Sequence, residues 1–193
     1  MYRKLLLVCS AIATAVLLSG CLVPERFVAR VDIQPDAGYS YRFDGTAMDA
    51  MALLKLQQQG MLTDKDNQSL IAQAKKLGQD ADFKKSVYLG KGRYQLEIEG
   101  NRKAGEPLKL LDMFSVLTSQ DGIITVSARP LKRKDKADLA QMGIFVNGSL
   151  RVTVPAGAEV LSQNANSSSD NGTYVWKLGD VGLLPEIKLR FNQ

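Results

Sequence analysis

The chain has 193 residues and a formal net charge of +5, from 25 Lys and Arg against 20 Asp and Glu, and it contains no histidine. Lack of histidine removes the commonest general base, the commonest metal ligand, and the Ser-His and Cys-His pairs of nucleophilic catalysis. A positive excess this small falls short of the clustered basic face that marks a nucleic-acid binder.

The N-terminus opens with Arg3 and Lys4, followed by an apolar stretch from Leu5 to Leu18 and the small residues Ser19 and Gly20 before Cys21. A charged start, a short apolar run and small residues at the cut describe an export signal. The run is shorter than the ~20 residues that span a bilayer. Leu18-Ser19-Gly20-Cys21 resembles the lipobox of bacterial lipoproteins. The resemblance implies that residues 1–20 are removed and that Cys21 is acylated as the first residue of the mature chain. It also implies, from Leu22 where Asp favours inner-membrane retention, an outer-membrane destination facing the periplasm. Each buried methylene of an acyl chain contributes ~0.8 kcal/mol, so two or three chains hold firmly where one does not. Cys9 leaves with the signal and Cys21 carries the lipid, so no thiol remains for a disulfide or a zinc site. Neither a metal nor a cofactor is expected.

Residues 21–26 read as the lipidated Cys and a very short tether, and residues 27–193 as one domain. Phe27, Ala29, Val31 and Ile33 alternate with Val28, Arg30 and Asp32, and Tyr39, Tyr41 and Phe43 with Ser40, Arg42 and Asp44. Period-two alternation predicts strands, and Pro35-Asp36-Ala37-Gly38 between them supplies turn chemistry for a hairpin. A helix apolar on nearly every side is expected from Ala47 to Gln59, stopped by Gly60. A second opens at Thr63, with Asp66 three residues on as a capping box, and ends at Gly78. Val87 to Glu99 reads as strand, with Gly90-Lys91-Gly92 a bulge or turn rather than a phosphate loop. Pro107 to Met113 suits a short helix. Phe114–Leu117 and Ile123–Ala128 flank the turn signal Asp121-Gly122. Arg129 to Met142 is charged and helical in part. Three more alternating segments follow, around Leu150–Val154, Tyr174–Leu178 and Ile187–Phe191, and Asn164 to Gly172 reads as a mobile loop. The expected class is α+β: a mostly antiparallel twisted sheet, a helical pair packed on one face, and a C-terminal β meander.

Within that last third stand Gly148-Ser149-Leu150-Arg151-Val152-Thr153-Val154-Pro155 with Gly157, then Asn164, then Gly172-Thr173-Tyr174-Val175-Trp176. This order of strand, Pro-x-Gly turn and Trp-bearing strand resembles the LppM-type lipoprotein domain, a domain of unknown function. The resemblance implies an envelope lipoprotein with an α+β domain that contacts lipids, and supplies no catalytic residues.

Two candidate sites follow from the residues. Arg129, Lys132, Arg133, Lys134 and Lys136 are positioned to meet anionic headgroups, at ~1 kcal/mol per charge near such a surface; a solvated charged loop is the plainer reading. Met48, Met51 and Leu54 are candidates to line an apolar pocket for an acyl chain, against simple core packing. Glu97 and Glu99 share a strand face, an arrangement that neighbouring Lys and Arg explain as well as catalysis does. The sequence thus reads as a non-enzymatic envelope lipoprotein that binds lipid or glycolipid near the membrane. The alternative is an accessory subunit of an envelope secretion or assembly complex, acting through protein contacts.

Overall fold

The computed structural model describes residues 22–129, 133–141, 143–179 and 184–191. The predicted signal and Cys21 lie outside them, as does Lys132. The α+β class holds: the described residues form two sheets and three helices, with every strand pairing antiparallel except one.

Strands β1 (Leu22–Ile33) and β2 (Tyr39–Asp49) make the predicted hairpin. Its turn is held by Asp36, whose carboxylate accepts the Gly38 amide at 3.0 Å. The segment expected as a tether is strand instead. Leu22 is buried and pairs with Asp49. Glu25 occupies a bulge between Pro24 and Arg26, where its carboxylate accepts from Arg93 at 2.9 and 3.0 Å. A bulge is one of the few places in a sheet that tolerates proline beside it, which is why Pro24 does not end the strand.

β2 likewise runs further than the pattern predicted. Ala47 and Met48 are strand, paired with Tyr94 and Arg93, and helix α1 (Ala50–Gln59) begins only after Asp49. Asp49 decides the boundary: its side chain accepts the Ala52 amide at 2.8 Å as the N-cap. Gly60 closes the helix in the left-handed conformation. Helix α2 (Asp64–Leu77) carries the predicted capping box between Thr63 and Asp66. A hydrogen bond from Lys55 and two from Thr63 hold the Asp66 carboxyl down to about 2, and tie α1 to α2.

Strands β3 (Phe83–Gly90) and β4 (Arg93–Arg102) turn through Gly90-Lys91-Gly92, all three at positive φ. Pro107–Met113 is not a helix. Leu108 and Leu110 are both buried, the period of a strand, and they form β5 (Leu108–Leu110). Leu111 and Asp112 at positive φ then turn the chain into β6 (Phe114–Thr118), which pairs with β7 (Ile124–Ala128). Helix α3 (Arg133–Gln141) precedes β8 (Asn147–Thr153). The supposed mobile loop is partly ordered: β9 (Ala158–Gln163) precedes it, and β10 (Ser167–Ser169) lies inside it, paired with β11 (Thr173–Leu178). The chain's last described element is β12 (Glu186–Phe191).

Seven strands form one sheet in the order β10-β11-β8-β1-β2-β4-β3, and five form another, β5-β6-β7-β12-β9. The C-terminal strands are therefore divided between sheets, with β12 paired to β7 and β9 while β11 pairs with β8. The sheets meet through aromatic rings. Phe27 stacks on Phe43 at 5.4 Å and meets Phe114 edge-on at 5.6 Å. Gly148 lies against the Phe27 ring. Further along the same inner face, Tyr94 lies under α2, donating its hydroxyl to the Leu70 carbonyl at 3.2 Å. Asn164 joins the two sheets: its Oδ1 accepts from Trp176 Nε1 at 2.8 Å and the Glu186 amide at 3.0 Å, and its Nδ2 donates to the Leu184 carbonyl at 2.7 Å.

At the far end of β2, Asp82 accepts from the Tyr41 hydroxyl at 2.5 Å and from Arg102 at 2.6 Å, and the Arg102 guanidinium lies over the Tyr41 ring. Burial opposes the Asp82 charge, but the hydrogen bonds from Arg102 and Tyr41 hold its carboxyl below the usual range. A carboxyl depressed in the folded state stabilises above its unfolded value of about 3.9, and that stability is lost as pH falls through the folded value. Asp82→Asn should therefore cost about 1–3 kcal/mol at pH 7 and lose less than the wild type between pH 5 and pH 2. Urea midpoints at the two ends of that range check it; parallel acid limbs would refute it.

Candidate functional site

The end of the seven-stranded sheet at which β1 begins collects several elements. Leu22 pairs with Asp49, the N-cap of α1, so that helix starts there. The Asp49 amide donates to the Gly92 carbonyl at 2.8 Å, which brings in the β3–β4 turn and exposed Lys91. β8 runs parallel to β1 with Asn147 beside Arg26, so the residues just before Asn147 arrive at the same end. Ile144 is buried against Met48 and Leu53, and Leu139 of α3 packs on that cluster. This small apolar knot docks α3 where β1 starts.

Around the knot, large apolar side chains face water. Phe145 is 68% exposed and Met51 56%. Scattered single apolar residues on a surface are ordinary, but bulky ones grouped and rimmed by charge mark an interaction site. The rim is basic: Arg133, Lys134 and Lys136 stand exposed on α3. Arg129 is exposed too, and its amide donates to the Met113 carbonyl at 2.7 Å, next to Phe114. Three of the five predicted basic residues thus stand together on α3, Arg129 lies beside the start of β6, and Lys132 lies outside the described residues.

The residues named for an apolar pocket are separated. Met48 is buried in β2, whereas Met51 and Leu54 lie on the solvent side of α1. Leu53, not Met51 or Leu54, is the α1 residue that packs with Met48. Glu97 lies 3.4 Å from Lys85 and Glu99 3.7 Å from Arg42 on the solvated face of the sheet, so each has a basic neighbour. Among the described residues no group of three or more Asp, Glu or Cys is arranged to hold a metal ion, and no helix is long and apolar enough to cross a membrane.

Sequence reasoning missed Phe145. The signal was there in Ile144-Phe145-Val146, an apolar run too short for a strand of its own, in which Ile144 turns inward and Phe145 outward. It also missed that a half-buried leucine within the charged stretch, Leu139, gives α3 something to dock on.

No family model matches the chain, and no curated protein matches it. Among solved structures it is similar to the folded domain of LppM from Mycobacterium tuberculosis, determined by NMR, at 14% identity over 94% of this chain and 96% of that one, with a TM-score of 0.42.

Proposed function

We propose that the protein is a non-enzymatic lipoprotein of the bacterial cell envelope, held by acyl chains on Cys21 in the outer membrane and facing the periplasm. Its domain rests the end at which β1 begins on an anionic lipid surface. The observation that carries this is the grouping of exposed Phe145 and Met51 with the cations of α3 at the end where the chain leads back to Cys21. Because β1 starts at Leu22, an anchor on Cys21 leaves the domain no slack to move away from the bilayer.

The chemistry is division of labour. Acyl chains supply most of the affinity. Phe145 and Met51 enter the boundary between headgroups and chains, and Arg133, Lys134 and Lys136 draw the surface in at ~1 kcal/mol each near anionic lipid. The ligand is then a membrane surface rather than one lipid enclosed in the core.

Flotation with vesicles tests this without the anchor. Residues 22–193 should bind vesicles containing phosphatidylglycerol more tightly than vesicles of phosphatidylcholine alone. Phe145→Asp should weaken that binding by about tenfold, equivalent to 1.4 kcal/mol. Joint replacement of Arg133, Lys134 and Lys136 by Gln should abolish the preference for anionic lipid. Equal binding to both vesicles, or a Phe145→Asp variant that binds normally, would refute the reading.

One observation favours the alternative, an accessory subunit of an envelope assembly. Among the described residues β3 is an edge strand of the large sheet, paired only with β4, and Val87 and Leu89 on it are 43% and 53% exposed. An unpaired edge with exposed apolar side chains is a ready place for another chain to add a strand.

A further inference from the structure

The outer face of the seven-stranded sheet carries an alignment that folding alone does not favour. Arg151 of β8 lies beside Arg30 of β1, and Arg30 lies opposite Arg42 of β2. Neighbouring strands are ~4.8 Å apart, so three arginines start in a row within ~10 Å. Like charges placed directly opposite on a sheet destabilise it. Arg26 stands on the same face of β1, and Lys177 of β11 pairs with Ser149 of β8. Little answers these charges. Arg42 reaches Glu99 at 3.7 Å with both side chains half exposed, a weak pair. Arg26, Arg30 and Arg151 form no ion pair among the described residues.

Arg26, Arg30 and Arg42 of this row also shape a depression, with Arg151 next to Arg30 just outside its lining. Arg26, Val28, Arg30, Arg42 and Asp44 line an open concavity of about 520 Å³, together with Phe27 and Gly45. Its size falls in the range of small-molecule sites. Apart from Phe27, whose side chain is buried beneath the sheet, no aromatic residue lines it, so an uncharged sugar finds no stacking platform. What the depression offers is guanidinium groups, whose planar fork matches phosphate oxygens in pairs. Asp44, opposite Val28, is the one carboxylate among its lining residues, and it accepts from Gln95 at 3.4 Å.

We propose that this face binds a soluble, phosphate-bearing anion, centred on Arg30 and gripped by Arg42 and Arg151, with Arg26 along the same strand. The choice of a soluble source rests on the anchored reading above. β1 climbs ~3.3 Å per residue, which puts Arg30 ~26 Å along the strand from Leu22. That is well beyond the ~8 Å over which a leaflet at the start of β1 exerts its field at physiological salt. The anion must come from the aqueous side.

The test uses the full lipidated protein in non-ionic micelles, titrated calorimetrically with pyrophosphate. One-to-one binding with a dissociation constant below ~1 mM is expected. Arg30→Gln and Arg151→Gln should each weaken it about tenfold, the loss typical of a charge-assisted hydrogen bond. Asp44→Asn should tighten it, and Lys134→Gln on α3 should leave it unchanged. Arg30→Gln should also raise the melting temperature of the ligand-free protein by about 2 °C as the cross-strand repulsion is relieved. A second arm places the protein in neutral vesicles and adds phosphatidylglycerol vesicles. Bridging lost in Arg30→Gln, without pyrophosphate binding, would overturn the soluble source in favour of a lipid headgroup. No saturable binding in either arm, or an Arg30→Gln variant that is less stable and binds as before, would overturn the site itself. Pyrophosphate binding in micelles is independent of vesicle docking by α3, so either proposal can fail alone.

Discussion

Gly148→Ala should be among the most damaging single-methyl additions in this protein, costing at least about 3 kcal/mol, the upper end of what overpacking usually costs. A Cβ on Gly148 would stand 2.2 to 2.6 Å from the Phe27 ring. The ring has no room to retreat, because it is stacked on Phe43 and capped edge-on by Phe114, the contact that joins the two sheets. The backbone of Gly148 is not in the left-handed region, so space alone forbids the methyl group. That makes the cause separable. Phe27→Leu in the Gly148→Ala background should restore part of the loss, so that the double variant is more stable than the summed single effects allow. Urea denaturation of the four members of this cycle measures the coupling. A near-neutral Gly148→Ala, or strictly additive effects, would show that Phe27 does not hold this glycine.

Asn164→Ala is the second large effect. Alanine would leave the Trp176 indole N–H and the Glu186 amide without their acceptor and the Leu184 carbonyl without its donor. The Trp176 side chain is fully buried. The Trp176 N–H is the buried donor among them and costs about 1–3 kcal/mol when unsatisfied, whereas the exposed Glu186 amide and Leu184 carbonyl turn to water, so a loss of about 1–3 kcal/mol is expected. Asn164→Asp keeps the acceptor and loses only the bond to Leu184, and should fall in between. Trp176 is the chain's single tryptophan, so its emission reports both unfolding and any new water contact. A loss under about 1 kcal/mol would mean that water replaces the Asn164 side chain without penalty.

These two residues show where sequence reasoning stops. Gly148, Asn164 and Trp176 all stood out in the C-terminal third, but as members of a strand-turn-strand pattern. Nothing local says that Gly148 makes room for a ring 121 residues earlier, or that an Asn in an apparent loop bridges two sheets. Features set by neighbours in the chain were legible: the β1–β2 hairpin, the Thr63–Asp66 capping box, the Gly60 stop. Boundaries between two apolar patterns were not, because Ala47-Met48 fits a buried strand as well as a buried helix until Asp49 caps the latter. The division of the last strands between sheets was hidden for the same reason, since alternation in Ile187–Phe191 reports one buried face and not which sheet supplies it. Of the candidate surface, its charges were readable from Arg129 to Lys136, whereas their gathering beside Phe145 depends on Leu139 meeting Met48 and Leu53.

The central strand has partners of very different ages. Its β2 flank closes within a few residues, but Arg26 must wait for Asn147 to emerge before the parallel β8 flank can form. In a chain made N-terminus first, the β1 edge of the hairpin therefore presents a row of unpaired backbone N–H and C=O groups for most of synthesis. Such long-range pairing slows folding and invites mispairing with other chains in the interval.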